Sequence, residues 1–245
     1  MGGYKRWRFA NDTLDRITSI ILVIVLLIGI YSVIDSLYLF RNPGSDLAYF
    51  FEGGKEEWDK LPDNAVAWLT IDDTNIDYPV MQGKDNDEYL NKDAFGQYSL
   101  VGSIFMDWRN DPDWKDDYNL LYGHHMSTKK MFGSLDEYKE KKFFKKHKTG
   151  TLKTRGADYS LTIFAVLRTT SEEHAVFNCG PDEEANVREF IKAHSLYYEE
   201  PKEDKILAMS TCQDAGTTER LIVFASMKKT REPGTLYDTD NLVEP

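Results

Sequence analysis

The amino-acid sequence predicts a mainly β protein, a closed barrel of eight short strands preceded by one apolar helix. Three observations carry that expectation. Between residues 64 and 228, eight β-rich runs follow one another at close spacing, each bounded by turn residues, as in a closed or nearly closed sheet. An uncharged run, ITSIILVIVLLIGIYSVI, fills residues 17–34. Only two helical patterns interrupt the strand series.

The apolar run comes first along the chain. As a helix, its eighteen residues span about 27 Å, close to a hydrocarbon thickness of about 30 Å. A secretory signal has a shorter apolar region ending in a small-residue cleavage site, whereas DSLYLF follows here. An uncleaved transmembrane helix over 17–35 is the expectation. Lys5, Arg6, Arg8 and Arg16 precede it and Arg41 follows. The positive-inside rule then puts residues 1–16 in the cytoplasm and the remainder outside the cell membrane. Residues 36–62 read as a helical stalk, broken at Gly53-Gly54 and stopped by Pro62, both of which interrupt helices.

The chain carries a net charge of −11, which argues against nucleic acid as a partner. Four basic and three acidic residues fall within 1–35, leaving −12 for the rest, an ordinary solubility charge. The strand runs are AVAWLTI, IDYPVM, GSIFMDW, YNLLYGH, TGTLKT, YSLTIFAVLRTT, KILAMSTC and RLIVFASM. KKMFGSLDEYKEKKFFKKH, after the fourth run, has a helical pattern. So does DEEANVREFIKAHSLYY, between the sixth and seventh, where Val187, Phe190, Ile191 and His194 recur at i, i+3, i+4, i+7, one apolar face laid on the barrel. The barrel is expected over 63–228, with a loose tail over 229–245.

Two cysteines give no disulfide framework. A pairing of Cys179 with Cys212 is the bland reading outside a membrane, but a domain of this size does not need one. Cys212 stands instead at a strand end, and after a loop of seven residues the chain returns with Arg220. A nucleophilic cysteine needs a histidine within hydrogen-bond reach. His147, His174 and His194 lie in surface-like contexts, whereas His124 and His125 end an apolar strand in NLLYGHHM. Arginine supplies a permanent charge for the oxyanion that forms when an amide is attacked. DTNID at 73–77 imitates a calcium loop but lacks its glycine and glutamate, so it reads as a turn. The lysines of 139–148 read as a solvated helix face. No phosphate loop or zinc spacing occurs, and neither cofactor nor metal is expected.

At these residues the sequence resembles a class B sortase. YGHHM at 122–126, MSTC at 209–212 and Arg220 carry the resemblance, together with TNIDYPVMQGKDNDEYL (74–90) and GSIFMDWRND (102–111). It covers roughly residues 55–228. It implies an eight-stranded sortase-type β-barrel with an N-terminal helical part and a helix between strands six and seven. The implied activity is that of a cysteine transpeptidase of Gram-positive bacteria. Such an enzyme cleaves secreted proteins bearing a C-terminal sorting signal after a threonine. It then passes the acyl group to an amine acceptor, a lipid-linked peptidoglycan precursor or a pilin lysine. Carried onto this chain, Cys212 is the nucleophile, His124 the general acid/base and Arg220 the oxyanion or substrate ligand. Thr211 and Asp214 support them, and Asn86, Leu90 and Ser210 line the sorting-signal groove. Where the family has Thr-Leu-x-Thr-Cys, this chain has Ala208-Met209-Ser210-Thr211-Cys212, so one hydroxyl is lost on strand seven. The rival readings are another secreted cysteine peptidase or L,D-transpeptidase-like wall enzyme, and a non-enzymatic membrane-anchored assembly module.

Overall fold

A computed structural model describes residues 2–41, 61–179, 184–212 and 218–231. The chain divides into two compact units, 1–42 and 43–245. In the first, one helix, α1 (Gly2–Arg41), runs unbroken. Its segment Leu14–Tyr38 is long and apolar enough to cross a membrane. Residues 36–41, expected in the stalk, continue this helix because Leu37, Tyr38, Leu39 and Phe40 are no worse helix formers than the residues before them. The glycine pair expected to break the stalk lies outside the described residues.

The second unit is the barrel. Its strands are β1 (Ala65–Ile71), β2 (Asp77–Gln82), β3 (Ile104–Met106), β4 (Tyr118–His124), β5 (Thr149–Lys153), β6 (Asp158–Thr170), β7 (Tyr197–Tyr198), β8 (Ile206–Cys212) and β9 (Glu219–Arg231). The sheet order is β5-β1-β2-β3-β4-β8-β9-β6, and a β5–β6 pairing closes the ring at eight strands. Each of the eight runs read from the sequence supplies one of them. The two-residue β7 is a ninth, added outside the ring against β6. β2–β3 and β4–β8 are parallel, and the other ring pairings are antiparallel.

The core sits inside the ring and also on one outer face. Leu121, Leu207, Met209, Leu221, Val223 and Ala225 point to the main interior cluster. Their neighbours in sequence, Leu120, Ile206, Ala208, Ile222 and Phe224, join a second cluster with Val176, Cys179, Val187 and Ile191. β4, β8 and β9 are thus buried on both faces, and strands in that position need near-continuous apolar runs. The cover comes from α3 (His174–Phe177) and α4 (Glu184–His194). α4 uses the expected face: Val187 and Ile191 are buried, and Phe190 packs beside them. His194 lies at its exposed end, stacked on Phe190.

Two expectations change. The helical pattern at 129–147 is not one helix but a 3-10 segment, Phe132–Lys139, followed by α2 (Lys141–Lys146). Glu140 between them is extended (φ −87°, ψ 118°), so that Phe132, Leu135 and Tyr138 can bury against the barrel while the lysines stay outside. The tail also starts later than expected. β9 pairs with β6 as far as Asp158↔Arg231, including Lys228 and Lys229, and 232–245 lie outside the described residues.

Candidate active site

Parallel pairing brings the C-terminal ends of β4 and β8 to one rim. The ladder between them ends on the pair His124↔Cys212. β9, antiparallel to β8, starts at that same rim. Its ladder with β8 runs to Ser210↔Ile222, and continuing the register two residues further puts Arg220 opposite Cys212. His124, Cys212 and Arg220 therefore occupy three neighbouring strands at one level. By strand parity all three positions belong to the outer face, the face of Leu120, Ala208 and Ile222.

Thr211 holds the last step of that ladder. Its hydroxyl accepts a hydrogen bond from the Leu221 amide (3.1 Å) and donates to the Leu221 carbonyl (3.3 Å). A side chain thus takes the place of backbone pairing just before Cys212. Ser210 is fully buried, with its hydroxyl 3.5 Å from the Thr211 carbonyl. Lying between Tyr122 on β4 and Ile222 on β9, it presents no side-chain surface to a groove. Asp214 lies outside the described residues.

His124 is half-buried. Its Nε2 lies 2.8 Å from the carbonyl oxygen of Leu90. A carbonyl can only accept, so Nε2 carries a proton and Nδ1 is left as the nitrogen able to exchange one. Gly102, at φ +57°, lies close against the Leu90 carbonyl; a Cβ there would sit 2.4 Å from that oxygen. Only glycine fits such an approach. His125 turns the other way, and its Nε2 meets Asp136 at 2.9 Å. Burial opposes charge on Asp136, but Lys139 and His125 together hold its carboxyl below the usual range. Arg220 is half-buried, and its Nη1 donates to the Glu219 carbonyl (2.9 Å).

Asn86 belongs to a polar cluster around the buried Asp107 that reading by residue type did not single out. Its Nδ2 donates to Asp107 Oδ2 (2.9 Å), and its Oδ1 accepts from the Trp108 amide (3.0 Å). The Asp107 side chain has no exposed surface. It also accepts from the Arg109 amide (3.0 Å), Nε (2.8 Å) and Nη2 (2.8 Å), and from the Tyr122 hydroxyl (3.0 Å). Burial by itself would raise this carboxyl, yet the Arg109 and Asn86 hydrogen bonds prevail and hold it below the usual range. Burial likewise pushes the Tyr122 hydroxyl well above its ordinary value. In sequence Asp107 looks like the polar end of a strand run and Arg109 like a loop charge. The available signal was their place directly after Ile104–Met106, a strand buried at every position.

Cys179 is a free, buried thiol, so the 179–212 disulfide is absent. Burial drives its pKa up, which keeps it protonated and a poor nucleophile. No cluster of metal-ligating side chains occurs among the described residues.

The likeness to known proteins agrees with this layout. The sortase domain family model matches residues 69–228. Sortase B of Staphylococcus aureus is 32% identical over 182 residues, 71% of this chain and 74% of that protein. Sortase B of Listeria monocytogenes is 36% identical over 158 residues, 62% of this chain and 64% of its own length. The solved S. aureus sortase B–substrate complex superposes with a TM-score of 0.65 at 30% identity, covering 71% of this chain and 83% of that one. A Streptococcus pyogenes class B sortase involved in pilus biogenesis gives 0.64 at 36% identity, covering 70% and 98%. The family model, the relatives and the superposed structures all point to one family, and the chain belongs to the class B sortases, a family of cysteine transpeptidases.

Proposed function

We propose that Cys212, His124 and Arg220 carry out the transpeptidation. The observation that supports this most is the parallel β4–β8 ladder ending on His124↔Cys212. Adjacent strands lie about 4.8 Å apart, so side chains at paired positions on one face come within proton-transfer reach. The Cys212 thiol gives its proton to His124 Nδ1, and the thiolate attacks the carbonyl of the threonine at the sorting motif. The oxyanion that forms is met by the Arg220 guanidinium. His124 then returns the proton to the departing amine, leaving a thioester on Cys212. An incoming amine loses a proton to His124, attacks the thioester and releases the thiol. Thr211 ties β8 to β9 next to the nucleophile, and Asp214 has the supporting role that the family resemblance implies.

Asn86 and Leu90 line the groove for the sorting signal of a secreted protein, and Ser210 contributes only through its backbone and its packing. The acceptor is an amine of a peptidoglycan precursor or of a pilin lysine. A solved relative in complex with Gly3 is compatible with a small amine entering this rim. α1 anchors the enzyme with its N-terminus in the cytoplasm, as the basic residues before the apolar run indicate, and the barrel works outside the cell membrane.

The test uses the full-length chain in detergent micelles with a peptide selected from a library for cleavage after threonine. Acyl-enzyme is followed by intact mass. Cys212→Ala and His124→Ala should each abolish the adduct, while His125→Asn, whose ring faces Asp136, should retain substantial activity. A dead His125 variant beside an active His124 variant would reverse the assignment.

A further inference from the structure

The cluster around Asp107 joins three segments that are far apart in sequence. Asn86 comes from the β2–β3 connection, Tyr122 from β4 two residues before His124, and Arg109 from the β3–β4 connection. Arg109 reaches further than Asp107. Its Nη2 also donates to the Phe177 carbonyl (2.7 Å), and its Nη1 donates to Asn178 Oδ1 (3.2 Å). The segment after β6 is thereby tied to the same carboxylate. A second link runs in parallel: the Tyr122 ring stacks on Phe177 (centroids 6.3 Å apart, 10° between planes) while its hydroxyl is held by Asp107.

A surface ion pair would matter little here. This pair is different, because the carboxylate is wholly enclosed and each of its oxygens is used, which fixes the guanidinium plane. The forked geometry is what allows one arginine to face a carboxylate on one edge and a carbonyl and an amide on the other. Asn86 is constrained in the same way. With Asp107 on its nitrogen and the Trp108 amide on its oxygen, its amide cannot rotate without breaking a hydrogen bond at each end.

We propose that Arg109 is a positioning residue for sorting-signal binding. Seated on Asp107, it holds Asn86 and the Phe177–Asn178 segment in fixed relation to the strand that carries His124. This rests on Asn86 being a groove residue, as read above. Among the described residues the Arg109 side chain bonds Asp107, Phe177 and Asn178, while the His124 imidazole bonds the Leu90 carbonyl, so Arg109 is placed to act through the groove and not on the chemistry.

The experiment compares full-length wild type with Arg109→Lys, Asn178→Ala, Asn86→Ala and the Asn86→Ala/Arg109→Lys double variant, using the same library-selected quenched-fluorescent peptide. Lysine keeps the charge but cannot span Asp107, the Phe177 carbonyl and Asn178 together. KM should rise about tenfold in Arg109→Lys and about threefold in Asn178→Ala, with kcat within about twofold, the pattern of lost ground-state binding. Alkylation of Cys212 by iodoacetamide should keep its wild-type rate in both. In the double variant KM should exceed that of Asn86→Ala by less than the single Arg109 effect, as expected of residues sharing a partner.

Wild-type KM in both Arg109→Lys and Asn178→Ala would overturn the proposal, as would a fall in kcat with KM unchanged. If Arg109→Lys does not fold, Asn178→Ala decides by the same criterion. A raised KM in Arg109→Lys beside a normal KM in Asn86→Ala would keep the brace, acting through Phe177–Asn178, and would remove Asn86 from the groove. Absence of acyl-enzyme in the wild type would instead count against the assignment of Cys212.

Discussion

Gly123 separates Tyr122 from His124, and replacing it with alanine probes how the proposed catalytic histidine is held. A Cβ at Gly123 would lie 2.7 Å from Phe132 Cδ2, 2.8 Å from Cγ and 3.2 Å from Cε2. Carbon atoms in contact prefer about 3.5–4.0 Å, so the ring or the strand must yield by nearly 1 Å. The ring has little room: Phe132 is fully buried in the main core with Met126, Met131 and Leu135, and cores are packed like organic crystals. Overpacking of this kind costs about 1–3 kcal/mol. Against that, removing a glycine from the unfolded chain stabilises by about 0.4–1 kcal/mol. Overpacking wins, and Gly123→Ala should destabilise by about 1–2 kcal/mol, lowering Tm by roughly 2–8 °C for a domain of this size. If the end of β4 yields in place of the ring, His124 moves with it, and a misplacement of about 1 Å costs on the order of 10²-fold in rate. Differential scanning fluorimetry and single-turnover acylation read the two effects. Phe132→Leu added to Gly123→Ala should recover part of both losses, because the ring is the atom group in conflict. A Tm within about 1 °C of wild type together with an acylation rate within about twofold would show that the Phe132 ring does not constrain position 123.

Two further outcomes are expected. Arg220→Lys should leave Tm unchanged yet slow acylation by about 10²–10³, the cost of one preorganised oxyanion donor; a rate within about threefold of wild type would show that charge alone suffices or that Arg220 lies outside the reaction. Asp107 should make the barrel acid-sensitive. Its folded carboxyl lies below the ordinary 3.8, so its contribution is complete above that value and is lost as pH falls from there through the folded pKa. Asp107→Asn should therefore be less stable than wild type at neutral pH, by up to about 3 kcal/mol. The two denaturation midpoints should converge below pH 3.8; a gap that stays constant on acidification would remove Asp107 from the linkage.

Much of the barrel was legible because each ring strand writes its own apolar run, and β4, β8 and β9 write theirs without alternation since both faces are covered. The 129–147 segment read as one helix because its apolar residues keep a helical period, while the break at Glu140 is a tertiary demand. Tyr197–Tyr198 and His174–Phe177 are too short to carry any period. At the site, strand-end placement made His124 and Arg220 visible, since a polar residue closing an apolar run must leave the core. Arg109 was not visible because a charge in a loop reads as solvated until the fold gives it partners, and Asp107 and Tyr122 lay in separate strand-like runs that nothing in the sequence brings together. Ser210 was read as groove-facing from the motif, and the strands on either side of it bury it instead.

The proposed reaction passes through a thioester on Cys212 formed with the help of His124. The direct measurement mixes the full-length enzyme with the selected threonine-containing peptide, quenches it in acid, digests it and locates the adduct by peptide mass spectrometry. The adduct should equal the peptide up to and including the threonine, sit on the fragment containing Cys212, and disappear when an amine such as triglycine is added. An adduct on the buried Cys179, or product release with no thioester at Cys212 under any quench time, would contradict the account.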